Sequence, residues 1–342
     1  MVRNVPLQDV IQSIAGETWA IAYAYESPRS PRNLWYDRWR YDVINDYVEA
    51  VSILGVEPFI IDVDSLIDSG KLKKEKIDFL INLNSGATPI SNLGLVPSLA
   101  EWNHVPCFPN SADVILAGER KDICKRIFSR WFNVPRDLTR EEAESGLHSF
   151  IRKPKTMGNS QGVSRQIDLK LNDNDAIIEE FVPGYEITVP VFFDVETGKY
   201  CASSPIVYFP DVEKPSEWFL SYEEKMDNSV VIDRKIYNLT RKFSDALVEA
   251  SQFFQFQTIA RFDFRWKTSD PNSNVIDLND VWFLEINCLP TLRANVNFLL
   301  SLTDYLSRHP HTAVASFSSD AHEDVRTLAF LLAHARGRFM TI

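Results

Sequence analysis

The sequence has 342 residues, with 36 Lys and Arg against 47 Asp and Glu, so its formal net charge is −11. This length allows two or three domains with buried cores, and the acidic balance argues against a general binder of nucleic acid or anionic membranes. The four cysteines lie far apart without a CxxC pair, so we expect reduced thiols and neither a disulfide framework nor a zinc site. Without a signal-peptide core or a long apolar run, the sequence predicts a soluble cytoplasmic protein.

The first third of the chain alternates between strand and helix patterns. Strands are predicted at residues 18–25, 58–62, 78–82 and 105–109, and helices at residues 42–54, 95–102 and 110–132. The last of these helices would carry Lys121 and Lys125 on one face. Such alternation predicts a doubly wound α/β domain built on a parallel sheet, ending near residue 119.

From residue 134 onward the pattern changes to short strands. They are predicted at residues 150–154, 163–169, 176–182 and 186–193. Helices are predicted at residues 234–254 and 321–336, and Gly337 would end the second of them. The rest of the chain is therefore expected to be α+β, without further βαβ units.

Two later segments predict strands whose charged side chains share a face. Alternation along a strand puts Arg261 on the same side as Asp263, and Phe283 on the same side as Glu285 and Asn287. If the polar residues between the two strands form a long hairpin, both carboxylates and the amide converge beside Arg261. Three such oxygen ligands are typical of a magnesium nucleotide site. The alternative is a solvated face without function, which is common in antiparallel sheets.

A polar loop follows the predicted strand that ends at Lys153 and Pro154. Its glycines at positions 158 and 162 would let backbone N–H groups and the Ser160 hydroxyl approach phosphate oxygens, with Lys153 supplying positive charge. The loop lacks the Gly-Lys-Ser/Thr of a Walker A motif. Its Gly-x-Ser-x-Gly pattern matches the nucleophile elbow of hydrolases. That elbow requires a helix after the serine, however, and the segment that follows here has a strand pattern. A plain hairpin turn is the alternative.

Two acids end the next predicted strand, and a third follows a turn. Backbone groups of Glu180 and Val182 could bind an adenine edge, and Glu186 could accept the ribose hydroxyl protons. A solvated strand end would explain the same pattern.

Taken in chain order, these motifs resemble those of the ATP-grasp superfamily, and within it of the D-alanine:D-alanine ligases. They are Lys-Pro, Gly-x-Ser-x-Gly, Glu-Glu-Phe-Val-x-Gly-x-Glu, Arg-x-Asp-Phe and Phe-Leu-Glu-Ile-Asn-x-Leu-Pro. The resemblance covers Phe150 to Pro290 well and is thin before residue 105. It implies an ATP-grasp fold of α/β and α+β parts: an N-terminal pre-ATP-grasp domain (1–119), a small central α+β lid (120–178) and a C-terminal α+β part (179–342) with the magnesium site.

The resemblance also implies roles for individual residues. ATP would be bound by Lys121, Lys153, Ser160, Glu179, Glu180, Val182 and Glu186. Two Mg²⁺ ions would be held by Asp263, Glu285 and Asn287, and Arg261 would stabilise the transferring phosphoryl group and the later oxyanion. Lys225 resembles the lysine of the family's mobile loop, although the start of a surface helix is the alternative.

The activity implied is an ATP-dependent ligase that joins a carboxylate to an amine through an acyl phosphate. Its partners would be small-molecule carboxylate and amine substrates, and the family resemblance also implies a homodimer. A role in secondary metabolism would fit. An intramolecular cyclase and a nucleotide-binding protein without catalysis are the alternatives, although the intact carboxylates count against the second.

Two segments depart from the pattern of the ligases. After the first strand the chain lacks the usual glycine-rich segment, so Glu26 becomes a candidate partner of a substrate ammonium group. The alternative is that Arg29, Arg32 and Arg38 of the same segment meet a substrate carboxylate. After Pro290 the expected serine is missing, and Arg293 and Asn295 stand where the second substrate should lie. We therefore expect a product other than D-alanyl-D-alanine, with a substrate carboxylate bound by Arg293.

Overall fold

A computed structural model describes residues 4–23, 41–69, 71–84, 90–158, 160–166, 175–222, 224, 230–268, 270–293, 297–311, 314, 317 and 320–340. The helices are α1 Leu7–Ile14, α2 Tyr41–Ile53, α3 Val63–Ser69, α4 Lys71–Lys74, α5 Leu95–Trp102, α6 Ala112–Gly118, α7 Lys121–Phe128, α8 Arg140–Glu144, α9 Arg241–Phe254, α10 Asn297–Arg308 and α11 Glu323–Met340. The strands are β1 Thr18–Tyr23, β2 Glu57–Asp62, β3 Phe79–Leu83, β4 Cys107–Phe108, β5 Phe150–Pro154, β6 Ala176–Glu180, β7 Tyr185–Asp194, β8 Lys199–Ala202, β9 Ile206–Pro210, β10 Ile232–Ile236, β11 Asn238–Leu239, β12 Ile259–Trp266, β13 Val275–Ile276 and β14 Val281–Asn287. None of the helices in these ranges has the length and apolar character needed to span a membrane.

The first sheet is parallel, with strand order β2-β1-β3-β4. Its central strands are apolar on both faces. Trp19 and Ile21 of β1 pack into a core with helices α1, α2, α10 and α11, whereas Ala20 and Ala22 pack into a core with α3, α4 and α5. Helices therefore cover both faces, and the predicted doubly wound architecture is confirmed.

The second sheet is antiparallel, with strand order β10-β9-β7-β12-β14 and β8 beside β7. Its core is aromatic: Phe262, Phe264 and Phe283 pack with Phe128 of α7 and Phe243 of α9. Two small sheets complete the fold, an antiparallel pair β5–β6 and a parallel pair β11–β13. The predicted α+β character of this part is confirmed.

The long helix predicted at residues 110–132 is wrong, because the structure has two helices with a turn between them. α6 ends at Gly118 and α7 begins at Lys121. Gly118 lies against the end of β14, where a Cβ atom would come within 2.9 Å of Cys288 Sγ. Lys121 N donates a hydrogen bond to Lys155 O at 3.0 Å, which holds the turn against the neighbouring loop. Packing against β14 thus overrides the helical pattern.

Two further boundaries differ from prediction. The helix expected from residue 234 begins at Arg241, after Thr240, whose side chain accepts a hydrogen bond from Phe243 N at 3.4 Å. Arg234 lies instead in β10, opposite Tyr208. The strand expected at residues 163–169 is reduced to one bridge, between Ser164 and Arg152, and its last residues fall outside the described ranges.

Gly337 does not end the last helix, as the sequence predicted, because α11 continues to Met340. A Cβ atom at Gly337 would lie 2.9 Å from Val10 Cγ2 and 3.2 Å from Val195 Cγ2. The glycine is therefore explained by close packing of α11 against α1 and the turn after β7, and not by a helix stop.

Candidate functional site

β12 and β14 lie side by side and bring the predicted metal ligands together. In their antiparallel register Asp263 faces Glu285, and Arg261 faces Asn287. A β-bulge next to Asp263 shifts the register by one residue, so that Phe264 pairs with Phe283. Phe283 is therefore fully buried in the aromatic core, and the prediction that it shares a face with Glu285 is wrong. Strict alternation could not anticipate the extra residue.

Arg261 and Asp263 form a close ion pair on β12. Arg261 Nε lies 2.9 Å from Asp263 Oδ1, and Arg261 Nη2 lies 2.6 Å from Asp263 Oδ2. The buried Thr188 of β7 donates a hydrogen bond to the same carboxylate. Burial alone would lower the pKa of Arg261, but the Asp263 carboxylate outweighs it, so the pKa is raised. Arg261 is thus held charged, and the two side chains fix each other in orientation.

Lys121 joins three parts of the site. Its buried side chain lies 3.2 Å from Glu285 Oε2 on β14, and Nζ donates a hydrogen bond of 2.7 Å to Met157 O at the start of the glycine loop. Burial acts to lower the pKa of Lys121, but the nearby Glu285 and Glu119 carboxylates raise it overall. A charged lysine therefore stands between the strand with the proposed metal ligands and the loop proposed to cover phosphates.

Glu179 lies buried between two lysines. Its Oε1 is 2.5 Å from Lys153 Nζ of β5, and its Oε2 is 3.1 Å from Lys125 Nζ of α7. Only 1% of Glu179 is exposed. Asp137, at the protein surface, also contacts Lys125. The side chain of Glu179 thus orients both lysines and is not turned towards solvent.

The proposed adenine hinge runs from the end of β6 into β7. Glu180 is exposed, and Val182 and Glu186 are half-buried. The Val182 carbonyl accepts a hydrogen bond of 3.1 Å from Arg265 Nε, and Glu186 accepts one of 3.1 Å from Leu220 N. Among the described residues, the Val182 N–H makes no hydrogen bond, so it can donate to a ligand.

Arg265 is a residue of the hinge whose role the sequence did not predict. Besides Val182, its guanidinium donates to Gly184 O, to Ser216 O at 3.2 Å and to Trp218 O at 2.9 Å. Burial lowers the pKa of Arg265, whereas Glu186, 3.6 Å away, acts to raise it. The only signal in the sequence was its place on the polar face of β12, two residues after Asp263.

The glycine loop folds back on the strand before it. Ser160 is half-buried with a positive φ of 60°, and a Cβ atom on Gly162 would lie 2.9 Å from Pro154 Cγ. This close approach requires glycine at position 162.

Of the predicted substrate residues, Arg293 is exposed just beyond β14. Glu26, Lys225 and Asn295 lie outside the described residues.

Glu119 is a second residue that the sequence analysis missed. It lies in the turn between α6 and α7, is half-buried, and has Lys121, Glu285 and Arg261 as neighbouring charges. Burial raises the pKa of the Glu119 carboxyl, and the nearby charge of Lys121 partly offsets this rise. No pattern pointed to it, because a continuous helix was predicted through this position.

The residues on β12 and β14 fit a magnesium ion that is shared with a nucleotide. Across the ranges that the structure describes, no three His, Cys, Asp or Glu side chains are grouped to hold a metal alone. Asp263, Glu285 and Asn287 offer two carboxylates and an amide, and the Asn287 Oδ1 atom already accepts a hydrogen bond from Leu289 N at 2.9 Å. Mg²⁺ is commonly bound by one or two carboxylates together with substrate phosphates and water, which matches this donor set.

Comparison with known proteins gives a consistent result. No protein-family model matches the chain. A D-alanine–D-alanine ligase of Wolbachia sp. subsp. Drosophila simulans (strain wRi) is 25% identical over 278 residues, which are 73% of this chain and 82% of the relative. A second one, from Wolbachia pipientis subsp. Culex pipiens (strain wPip), is 24% identical over 269 residues, 71% of this chain and 80% of the relative.

Solved structures show the same fold over almost the whole chain. The D-alanine–D-alanine ligase of Bacillus anthracis complexed with ATP has a TM-score of 0.61 at 15% identity, covering 95% of this chain and 99% of its own. The VanG D-Ala:D-Ser ligase of Enterococcus faecalis has a TM-score of 0.57 at 12% identity, covering 93% and 99%. The resemblance inferred from the motifs is thus confirmed: the chain is similar in sequence to D-alanine–D-alanine ligases and shares the fold of their solved structures.

Proposed function

We propose that this protein is an ATP-dependent ligase that joins a carboxylate to an amine and releases ADP and phosphate. The observation that carries the proposal is the position of Lys121. It contacts Glu285, a proposed metal ligand, at 3.2 Å, and Met157, at the start of the proposed phosphate loop, at 2.7 Å. Motifs from three distant parts of the chain thus meet at one buried cation, as binding of a metal-bound polyphosphate requires.

The residue types suit the activation of a carboxylic acid. A carboxylate is a poor acyl donor because its leaving group would be oxide, so its oxygen first attacks the γ-phosphorus of ATP, and ADP leaves. Two anions must approach each other in that step, which requires dense positive charge. Lys121, Lys153 and Arg261 supply three fixed cations in or beside the cleft. The amine then attacks the acyl carbon, phosphate leaves with the bonding electrons, and the amide remains after loss of a proton.

Each element of the site has a proposed role in this reaction. Lys121, Lys153 and the Ser160 loop bind phosphate oxygens, and residues 179–186 bind the adenosine. Asp263, Glu285 and Asn287 hold Mg²⁺, which supplies charge neutralisation on the phosphates. Arg261, fixed by Asp263 at 2.6 Å, presents its guanidinium to the transferring phosphoryl group and then to the oxyanion.

D-Alanine is the first substrate to test. The relatives and the solved structures are named for ligases that join D-alanine to D-alanine or D-serine. The expectation of another product came from Arg293 and Asn295, and it stays a prediction of the sequence. The homodimer, the cytoplasmic location, the role in secondary metabolism, the number of metal ions and the domain boundaries also stay predictions.

The deciding experiment is a panel of D- and L-amino acids and simple carboxylic acids, supplied singly and in pairs with ATP and Mg²⁺. Phosphate release is measured, and products are identified by mass spectrometry. We expect release of ADP and phosphate only when an acid and an amine are both present, with loss of one water from the joined pair. In parallel reactions, hydroxylamine traps the activated acid as a hydroxamate and identifies the donor.

Three outcomes would contradict the proposal or change it. ADP formation that does not depend on the acid would contradict ligation. ATP binding without turnover across the panel would favour the non-catalytic alternative. A product with the mass of one substrate less water would indicate the intramolecular cyclase.

A further inference from the structure

Glu119 lies in the turn between α6 and α7, and its neighbouring charges are Lys121, Glu285 and Arg261, residues to which the proposed function gives roles at the γ-phosphate. The two cations there are engaged by other carboxylates: Lys121 lies 3.2 Å from Glu285, and Arg261 lies 2.6 Å from Asp263. Within the described part of the chain, the Glu119 side chain makes neither a hydrogen bond nor an ion pair, although Lys121, Glu285 and Arg261 are its neighbouring charges. It is half-buried, so part of the residue stays accessible to solvent and to a ligand.

The backbone holds Glu119 firmly at this place. Glu119 N donates to Ile115 O at 3.2 Å, and Glu119 O accepts from Lys121 N at 3.1 Å. Gly118, just before it, packs on Cys288 beyond the end of β14. The next side chain, Arg120, is engaged by Asp122 at 2.9 Å. The carboxylate of Glu119 is thus positioned beside the strand that carries Glu285.

The reaction places a second charge in the same region. The donor carboxylate must lie beside Arg261 and the metal ligands when it attacks the γ-phosphate. If the donor is an α-amino acid, its ammonium group is only one tetrahedral carbon away from that carboxylate. An ammonium group enclosed in the cleft needs an anion, because an unpaired buried charge is strongly unfavourable.

We propose that Glu119 binds the α-ammonium group of the amino acid whose carboxylate is activated, so that the site selects α-amino acids over simple carboxylic acids. This inference rests on the proposed ligase function. It assigns to the turn between α6 and α7 the role that the sequence analysis gave to Glu26. Glu119 is then a specificity residue, and its effect depends on the substrate and not on ATP.

The test compares an amino acid with the same acid without its amino group. Wild type, Glu119→Gln and Glu119→Asp are assayed for ADP release with D-alanine, L-alanine and propionate. Excess hydroxylamine is the common nucleophile, and the hydroxamate of each acid is quantified beside ADP, because alanine could also act as its own acceptor. The exposed Glu101, on α5, provides the matched control Glu101→Gln.

We expect wild type to prefer one alanine enantiomer over propionate. Glu119→Gln should lower kcat/KM for that alanine by about 10- to 100-fold, the effect of losing one hydrogen bond between charged groups, and leave propionate nearly unchanged. Glu119→Asp should recover part of the preference, and Glu101→Gln should behave as wild type. The KM for ATP and the Mg²⁺ requirement should not change. If Glu119→Gln does not fold, Glu119→Asp is compared with wild type instead, and its preference for alanine over propionate should be partly lost.

Other results would overturn the inference while leaving the ligase function intact. Equal losses with alanine and propionate, or a raised Mg²⁺ requirement, would mean that Glu119 serves the fold or the metal. A preference lost in Glu26→Gln but retained in Glu119→Gln would return the role to Glu26. A wild type without any preference would also overturn the inference. Absence of ADP release with every acid would instead contradict the proposed function itself, and the inference with it.

Discussion

Two clusters of charged side chains each contain one buried lysine of α7, Lys125 or Lys121, and they are built in opposite ways. In the lysine cluster, defined by Lys125, Lys153 and Glu179, one fully buried carboxylate serves two cations. In the acid cluster, Glu119, Asp263 and Glu285 share the two cations Lys121 and Arg261. Among its buried groups the first has two cations for one carboxylate, although the exposed Asp137 also contacts Lys125, and the second has three carboxylates for two cations.

The difference indicates what each cluster is missing. A pair of lysines around one carboxylate is completed by an anion, such as a phosphate oxygen. Three carboxylates around two cations are completed by further cations, which here would be Mg²⁺ and a substrate ammonium group. Under the proposed function, the two clusters would bind the nucleotide phosphates and the metal respectively, because opposite charges attract.

The sharpest test of this contrast is Glu285→Gln in the acid cluster. The variant loses a proposed metal ligand and the contact with Lys121. We expect ADP release in the presence of acid and amine to fall by about 10³-fold, a loss typical of removing one preorganised electrostatic contact. A coupled ADP assay over a range of Mg²⁺ measures it.

Asp280→Asn is the matched control for that variant, since Asp280 is exposed just before the same strand begins. It should retain wild-type activity. Full activity in Glu285→Gln would contradict both the metal site and the proposed function.

A second prediction concerns stability in the lysine cluster. Glu179→Gln leaves two buried ammonium groups without their shared carboxylate, which should lower the free energy of unfolding by about 3 kcal/mol. Thermal unfolding followed by calorimetry should show a midpoint several degrees below wild type, with partial recovery when ATP is added.

The neighbouring Glu180, whose side chain is 49% exposed, offers the control Glu180→Gln. That change should shift stability by less than about 0.5 kcal/mol. Equal stability of the two variants would mean that Glu179 does not hold the lysines in place.

The smallest expected effect lies outside both clusters, at Arg293. If this exposed arginine binds a substrate carboxylate, Arg293→Ala should raise the amino-acid KM by about 10-fold and leave the KM for ATP unchanged. Steady-state kinetics at saturating ATP measure the amino-acid KM of the wild type and the variant. Arg241→Ala, at the 95% exposed start of α9, is the control. An unchanged amino-acid KM would remove Arg293 from the substrate site.

The pairing of Asp263 with Glu285 could be predicted from the sequence, because alternation along two adjacent strands is a local rule. The same rule failed at Phe283, where a bulge adds one residue to β14. Local periodicity specifies which residues alternate, but a bulge is set by how the strand packs on its neighbours.

Tertiary contacts decide the features that the sequence did not reveal. The helix break at Glu119 occurs where Gly118 meets Cys288, a residue 170 positions later in the chain. Glu179 of β6 meets Lys125 of α7 across 54 residues of chain, and nothing in either segment alone indicates this. Sequence motifs thus located the two strands of the acid cluster. Its third carboxylate, Glu119, and the lysine cluster could be recognised only from the three-dimensional structure.

The packing around Gly337 has a consequence for how the chain folds during synthesis. α11 shares one core with β1 and β3 of the first sheet and with Phe192 and Val195 at the end of β7. The face of the first sheet that α1 and α2 also cover therefore stays partly uncovered until the ribosome has made residue 340, although the sheet itself is complete by residue 108. A growing chain would carry this apolar surface for more than two hundred residues, and chaperones that bind exposed apolar surface would have that time to act.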